Sequence, residues 1–380
     1  MGGIRWSGGI RWALRGAIAV ALAVTVLVVF SGCEEAGTTD DGGDNGDDPG
    51  TVTLEDGDSW RMVGLGIDED NSWFYGLDST IDGSDIDYEY IASSDQDPPV
   101  GETDTAGFSV NAEHVLTIIH PESDSVGRLN ETGTTFMVRS YDLMDDYGEL
   151  VVGARNGTNL SNATFSGDYW AAFVWADEDL EQHVYFTGTY DAVVDGVGSG
   201  TTANVDCDIA DAETMWGDSE FTYNVATNGN YSVPDGEDVI GIVREDGELV
   251  VAVETDDTGD NEEKRLYFAV RKSSGATGDL LVGTWDICTS CAGSSKSWYE
   301  GAGEMTLAAD GTGTYTDSDE QEYPVELTLS DDGTLTFEYD NDGFLLDGAI
   351  TPSGDTVVLV HTEEHLDNEN YCIAVAIKEP

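Results

Sequence analysis

The chain has 380 residues, with 77 Asp and Glu against 14 Lys and Arg and a formal charge of −63. That balance excludes a nucleic-acid partner, which would need basic groups against its phosphates, and it excludes charge-driven docking on anionic lipid. Hydrophobic residues at 39%, patterned among the acids, exclude disorder throughout; a fold this acidic repels itself at low salt and is screened at high salt, so a halophilic or salt-tolerant source is expected.

Residues 1–32 carry Arg5, Arg11 and Arg15 and no acid, and an apolar run occupies residues 17–30. A basic region, a short apolar run and then small residues is the order of a secretory signal. The run is shorter than the roughly 20 apolar residues of a bilayer-spanning helix. It closes with Phe30-Ser31-Gly32-Cys33, which resembles the lipobox of bacterial lipoproteins; Phe30 departs from the aliphatic residue usual there. The resemblance implies a signal peptide over 1–32, diacylation of Cys33 as the new N-terminus, and a membrane as partner through that lipid. Two acyl chains hold a protein firmly where one binds only marginally. Residues 33–51 are then the lipidated Cys and a disordered acidic tether. Its sequence EEAGTTDDGGDNGDDPGT has too little apolar surface to offset ordering entropy and is extended by self-repulsion.

Beyond the tether the chain repeats itself, in units expected over 52–166, 167–282 and 283–380. Unit one opens on Gly57-Asp58-Ser59-Trp60, turns at Asp82-Gly83, and carries GRLNETGTTFMVRS from Gly127, with Gly133 in the turn. Its end, LVVGARNGTNLSNATFSGDYW from Leu150 to Trp170, matches LYFAVRKSSGATGDLLVGTWD from Leu266 to Asp286, so that Arg155 pairs with Arg271 and Gly167 with Gly283. Unit two opens on Gly167-Asp168-Tyr169-Trp170, turns at Asp195-Gly196, and carries GIVREDGELVVAVETDD from Gly241. Unit three turns at Asp310-Gly311 and carries GAITPSGDTVVLVHTEE from Gly348, which aligns with the Gly241 segment without gaps. Its closing run, Tyr371 to Lys378, looks like the strand that begins at Tyr267. Short runs rich in Val, Ile, Thr, Tyr and Phe alternate with polar residues and stop at Gly, Asp or Asn, which reads as antiparallel β. Asp331-Asp332-Gly333 is a natural hairpin turn, and Pro324 belongs at a strand start or edge.

Gly283-Thr284-Trp285 opening a unit, the Asp310-Gly311-Thr312-Gly313 hairpin and an apolar closing strand resemble lipocalin-like or avidin-like barrel domains, and tandem repeats of uncharacterised bacterial surface lipoproteins. The resemblance implies an all-β protein of three tandem antiparallel units, small barrels or sandwiches in series. The alternative is a six-bladed β-propeller, since three units of about eight strands would also supply six four-stranded blades.

Candidate chemistry is sparse. His361-Thr362-Glu363-Glu364-His365 has the H-x-x-E-H spacing of inverted zinc proteases, but it follows a strand, where positions four apart lie about 13 Å from each other. Cys207, Cys288, Cys291 and Cys372 are disulfide candidates in an exported chain; Cys288 and Cys372 sit on the opening and closing strands of unit three, which become neighbours in a closed barrel. No metal site is assigned. Asp256, Asp257 and Asp260, and Asp340 and Asp342, are weak calcium candidates without the spacing of an EF-hand loop, so no cofactor is expected beyond a possible calcium. Trp60, Trp170 and Trp285 open their units and are read as core; Trp73, Trp175, Trp216 and Trp298 could stack on sugar rings. Asn130, Asn156, Asn159 and Asn162 sit in N-x-S/T sequons, open to glycans in an archaeal host. No catalytic residue is assigned: there is no nucleophile elbow, P-loop or dinucleotide fingerprint. The expected function is a non-catalytic lipoprotein anchored to the cell envelope (outer membrane or cell surface) and binding a small molecule, a glycan or a surface partner. The alternatives are a secreted carboxylate-dependent hydrolase and a structural surface spacer.

Overall fold

In the computed structural model the described residues are 52, 54–67, 72–94, 99–119, 124–142, 147–177, 184–207, 219–234, 239–255, 263–293, 298–317, 320–339, 344–361 and 370–380. They are all β apart from one 3-10 turn, Gly278–Leu280. Unit one comprises β1 Ser59–Ile67, β2 Ser72–Asp82, β3 Asp85–Ser93, β4 Thr103–Val110, β5 Val115–Ile119, β6 Asp124–Leu129, β7 Thr135–Asp142 and β8 Tyr147–Arg155, which close into an antiparallel barrel in chain order. Unit three does the same with β18 Gly283–Gly293, β19 Trp298–Leu307, β20 Thr312–Asp317, β21 Glu322–Leu329, β22 Thr334–Tyr339, β23 Phe344–Ile350, β24 Thr356–Val360 and β25 Asn370–Lys378. Unit two has β9 Ser166–Asp177, β10 Val184–Asp195, β11 Ser199–Cys207, β12 Glu220–Thr222, β13 Asn224–Val225, β14 Asn230–Ser232, β15 Val239–Val243, β16 Leu249–Thr255 and β17 Glu263–Arg271. These form one nine-stranded antiparallel sheet that curls into a nearly closed barrel, with β12 and β13 as its unpaired edges. The barrels rule out the propeller alternative, because no unit splits into four-stranded blades.

The repeats are hairpins in one register. Gly127, Gly241 and Gly348 lie opposite Val138, Ala252 and Leu359 on the next strand. At each of the three, an added Cβ would run into the carbonyl oxygen of the residue before that partner, Met137, Val251 or Val358, so the strands approach too closely for any side chain. The turns that follow also match. Gly133, Gly247 and Gly354 have φ of 66°, 70° and 73°, and their N–H groups donate to the carbonyls of Asn130, Arg244 and Thr351 at 2.9, 2.7 and 2.8 Å. Only glycine takes that left-handed conformation without strain. The opening and closing strands correspond too: Trp60, Tyr169 and Trp285 face Arg155, Arg271 and Lys378 across the ladder. Tyr169 therefore holds the position of Trp60 and Trp285, and Trp170 is displaced from the expected pattern by one residue and so to the opposite face.

That displacement has a destination. Each barrel has its own interior core, around Trp60 and Phe136 in unit one, Tyr169 and Val250 in unit two, and Trp285 and Leu359 in unit three. A fourth core lies between the units, where outward-facing residues of all three meet: Val63, Met137 and Val152 from the first, Trp170, Val251 and Phe268 from the second, Val358, Ile373 and Val375 from the third. Strands at this junction bury both faces. All seven residues of β16 (LVVAVET) and all five of β24 (TVVLV) are buried, which is why each carries a continuous apolar stretch, LVVAV and VVLV, in place of alternation. β21, with one face in solvent, alternates in burial along EYPVELTL. Full burial of a Val, Leu or Ile side chain contributes about 1.5–3 kcal/mol, so the shared core is a large part of what holds three small barrels in one body.

Three of the cations among the described residues tie units together. Arg128 of unit one pairs with Asp286 and Glu379 of unit three, and Lys272 of unit two lies 2.6 Å from Asp191 and 3.4 Å from Asp332 of unit three. Arg244 is fully buried where the three equivalent turns converge. Its guanidinium reaches Asp246, Glu248 and, in unit three, Asp355, each at 2.9 Å. Asn130 of unit one completes the set by donating to the other oxygen of Asp355 at 2.8 Å.

Candidate functional site

Unit two differs from unit three inside. Where unit three carries Met305 and Leu359, the same ladder positions in unit two are Ala192 and Ala252. Met305 and Leu359 fill the third barrel; the two alanines leave a cavity of about 400 Å³, within the usual range of small-molecule sites. Its wall is aromatic, from Phe165, Phe173, Tyr190, Phe221, Tyr231 and Tyr267. Residues of β11, β12 and β14 also line it, so it lies against the seam where β12 ends at Thr222 and β13 begins at Asn224 without a ladder between them.

One end of the cavity is charged. Arg265 and Tyr267 alternate with outward-facing Leu266 and Phe268 along β17, and so point inward with Ala269. Arg265 Nη1 lies 2.9 Å from Glu254 Oε2. The Tyr267 hydroxyl donates to the same oxygen at 2.5 Å and accepts from Arg265 at 3.2 Å. The guanidinium carbon stands 5.5 Å from the centroid of the Trp175 ring, a cation–π distance. Glu254 and Arg265 have side chains only 3% and 12% exposed. Burial pushes the Tyr190 phenol up to about 12, with Glu254 adding to the rise and Arg265 opposing it. Burial likewise holds Tyr267 well above the usual tyrosine value. Both hydroxyls stay protonated near neutral pH. A buried ion pair is a poor stabiliser, because desolvation cancels much of its attraction; with Arg265 and Tyr267 in the wall of a cavity, it marks a candidate binding site.

The residues singled out in the sequence are scattered. Cys33 and the leader, Asp256, Asp257, Asp260, Asp340 and Asp342, Trp216, and Glu364 and His365 of the H-x-x-E-H run lie outside the described residues. Among the described residues no group of three or more His, Cys, Asp or Glu is placed to hold a metal ion. His361 is buried just beyond β24, its backbone N–H bonded to the Cys372 carbonyl at 2.9 Å. Cys372 is disulfide-bonded, and the register sets Cys291 directly opposite it, while Cys288 lies opposite Val375. Cys288 is a buried thiol in the shared core, at the ladder position held by Val63 in unit one and Ala172 in unit two, so it serves as a small apolar residue rather than as the partner of Cys372. Cys207 ends β11 opposite Gly188. Trp60 and Trp285 fill their barrels, whereas Trp170 belongs to the core between units. Asn130, in a sequon, is fully buried and has no surface on which to carry a glycan. Arg265, Glu254 and Arg244 drew no notice in the sequence, although cations are so rare in this chain that an Arg inside a β run was a signal.

No family model matches the chain, and no curated protein does. Solved structures with some likeness include a protein of unknown function of the DUF3598 family from Nostoc punctiforme, at 10% identity and a TM-score of 0.24, over 57% of this chain and 98% of that one. Another is a double mutant of transferrin binding protein B from Haemophilus parasuis, at 7% identity and a TM-score of 0.31, over 86% of this chain and 76% of that one. A third is the isotype 1 transferrin binding protein B from serogroup B Neisseria meningitidis, at 6% identity and a TM-score of 0.28, over 85% and 76%. At scores this low neither activity nor ligand passes from those proteins to this chain.

Proposed function

We propose that this chain is an exported lipoprotein, anchored to the cell envelope through Cys33, that binds a small molecule without transforming it, inside the barrel of unit two. The observation that carries this reading is the cavity beside Ala192 and Ala252 with its buried Arg265–Glu254–Tyr267 cluster. Where unit three fills these two positions with Met305 and Leu359, unit two has alanines and an aromatic-walled cavity with a polar group at one end, the pattern of a preformed ligand site. Units one and three then serve as scaffold, and the acidic tether holds the body off the membrane. The hydrolase alternative needs two carboxylates facing each other across the substrate, and Glu254 is engaged by Arg265 and Tyr267.

A thermal-shift screen of sugars, lipids and aromatic compounds tests the reading, run in parallel on the wild-type chain and on Ala252→Leu, which takes the residue unit three carries there. Compounds that stabilise the wild type are expected to lose their effect in the variant. Hits that stabilise both equally, or a library with no hit, would count against the cavity as the site. Export and anchoring are tested separately: Cys33→Ser is expected to move the protein from the membrane fraction to the soluble one.

A further inference from the structure

Unit one, scaffold to that cavity, carries a second site of different chemistry at the β1–β2 end of its own barrel. We propose that this end takes a small quaternary ammonium ion, held against aromatic ring faces. Gly64 and Gly66 on β1 stand opposite Tyr75 and Trp73 on β2. An added Cβ at either glycine would fall within the ring opposite, so both rings lie down across the bare strand and turn a face to the lumen. Tyr75 belongs to the interior core of the barrel, and Trp73, Tyr88 and Tyr90 pack against that core while staying half-buried. The Tyr90 ring centroid is 5.8 Å from that of Tyr75 and 6.0 Å from that of Tyr88. Glu149 on β8 is the other ladder neighbour of Gly66. Its side chain is inward, because Leu150 and Val152 face the shared core, and it accepts from the Tyr75 hydroxyl. Asp104, on the same face as interior Ala106 and exposed at the rim, accepts from the Tyr88 hydroxyl at 3.4 Å.

Ring faces attract cations, and cages of them recognise methylated ammonium. The charges of unit one agree. Residues 52–166 contain no Lys and only four Arg, none of them at this end of the lumen. Arg61, Arg128 and Arg139 alternate with the interior residues Met62, Leu129 and Val138 and so face outward. Arg155 lies at the far end of β8, paired with Asp58. Burial first, then Glu149, Glu102 and Asp104, hold the Tyr90 phenol above its ordinary value; the field that opposes a phenolate favours an ammonium. An anion carried with the cation, as in a phosphocholine headgroup, would meet Glu149, so the ligand is the cation alone. A metal ion needs a cage of ligand atoms, and no group of three His, Cys, Asp or Glu among the described residues is placed to form one.

Four probes decide it on the full chain by calorimetry: choline, its uncharged isostere 3,3-dimethyl-1-butanol, phosphocholine and methyl glucoside. The titrations are run in about 1 M salt, where the general field of the chain is screened, and near pH 8, about where histidine is neutral. Choline is expected to bind at least about tenfold more tightly than each of the other three. Trp73→Leu is expected to weaken choline at least about tenfold. Glu149→Gln, which keeps an acceptor for Tyr75, is expected to weaken choline about tenfold and leave 3,3-dimethyl-1-butanol unchanged. Equal or tighter binding of the isostere, phosphocholine or the glucoside would overturn the inference, as would choline that fails to bind below about 10 mM. So would choline binding that neither Trp73→Leu nor Glu149→Gln disturbs. If that undisturbed binding is lost in Ala252→Leu, the cation sits in unit two; this inference then falls and the proposed cavity stands. Should either unit-one variant misfold, the other still decides.

Discussion

Arg244 is where the assembly of three units is most exposed to a single substitution. Its side chain is fully buried and Asp355 keeps 12% exposure, with 2.9 Å between them across units two and three. Arg244→Met removes the cation but leaves Asp355, Glu248 and Asp246 facing one another. Removing one partner of a buried pair costs about 3–5 kcal/mol. Taking roughly 2 °C per kcal/mol, the lower end of the range for domains of about 150–250 residues, Tm is expected to fall by about 6–10 °C. Burial alone would raise the Asp355 carboxyl, yet Arg244, with the hydroxyls of Thr351 and Ser353, holds it below its ordinary 3.8. Because that pKa is depressed in the folded state, its contribution is complete above the unfolded value and lost as pH falls through the folded one. In Arg244→Met the carboxyl is buried without its cation and its pKa rises above the unfolded value. The folded state then binds protons first, and the variant regains stability relative to wild type as pH drops from about 7 to about 5. Urea melts at several pH values, on Arg244→Met, Asp355→Asn and the double variant, read both effects. A loss below about 1 kcal/mol in Arg244→Met, or single losses that simply add in the double variant, would refute the account of a coupled buried pair.

Three further outcomes are expected. Phe268→Ala, at a fully buried position of the core shared by all units, costs about 3–5 kcal/mol, and calorimetry should show the remaining fold melting in one transition; three separate peaks would mean that the units are stable alone. The purified chain should be more stable in about 2 M than in about 0.05 M salt, because screening relieves its self-repulsion; equal Tm values in the two would remove the case for a salt-adapted protein. Non-reducing peptide maps should join Cys291 to Cys372, and Cys288 should resist alkylation until the chain unfolds; a Cys288–Cys372 peptide would contradict the register of β18 and β25.

The sequence by itself determined the parts that are local. Glycine turns, alternation within strands and the spacing of the Gly127, Gly241 and Gly348 hairpins depend on backbone geometry a few residues wide, so three β units could be counted from the chain. The apolar runs 249–253 and 357–360 within β16 and β24 are buried on both faces, but an apolar run is equally satisfied by any apolar neighbour and does not name it. Only the tertiary structure decided that the neighbours are the other two units, that Trp170 turns outward to join them, and that Cys288 packs there as a small apolar side chain. The same holds for the candidate site. Ala192 and Ala252 look like ordinary strand alanines, and Arg265 and Glu254 stand eleven positions apart on different strands; what makes them a cavity with an ion pair at one end is strand pairing, a long-range contact that local pattern does not encode.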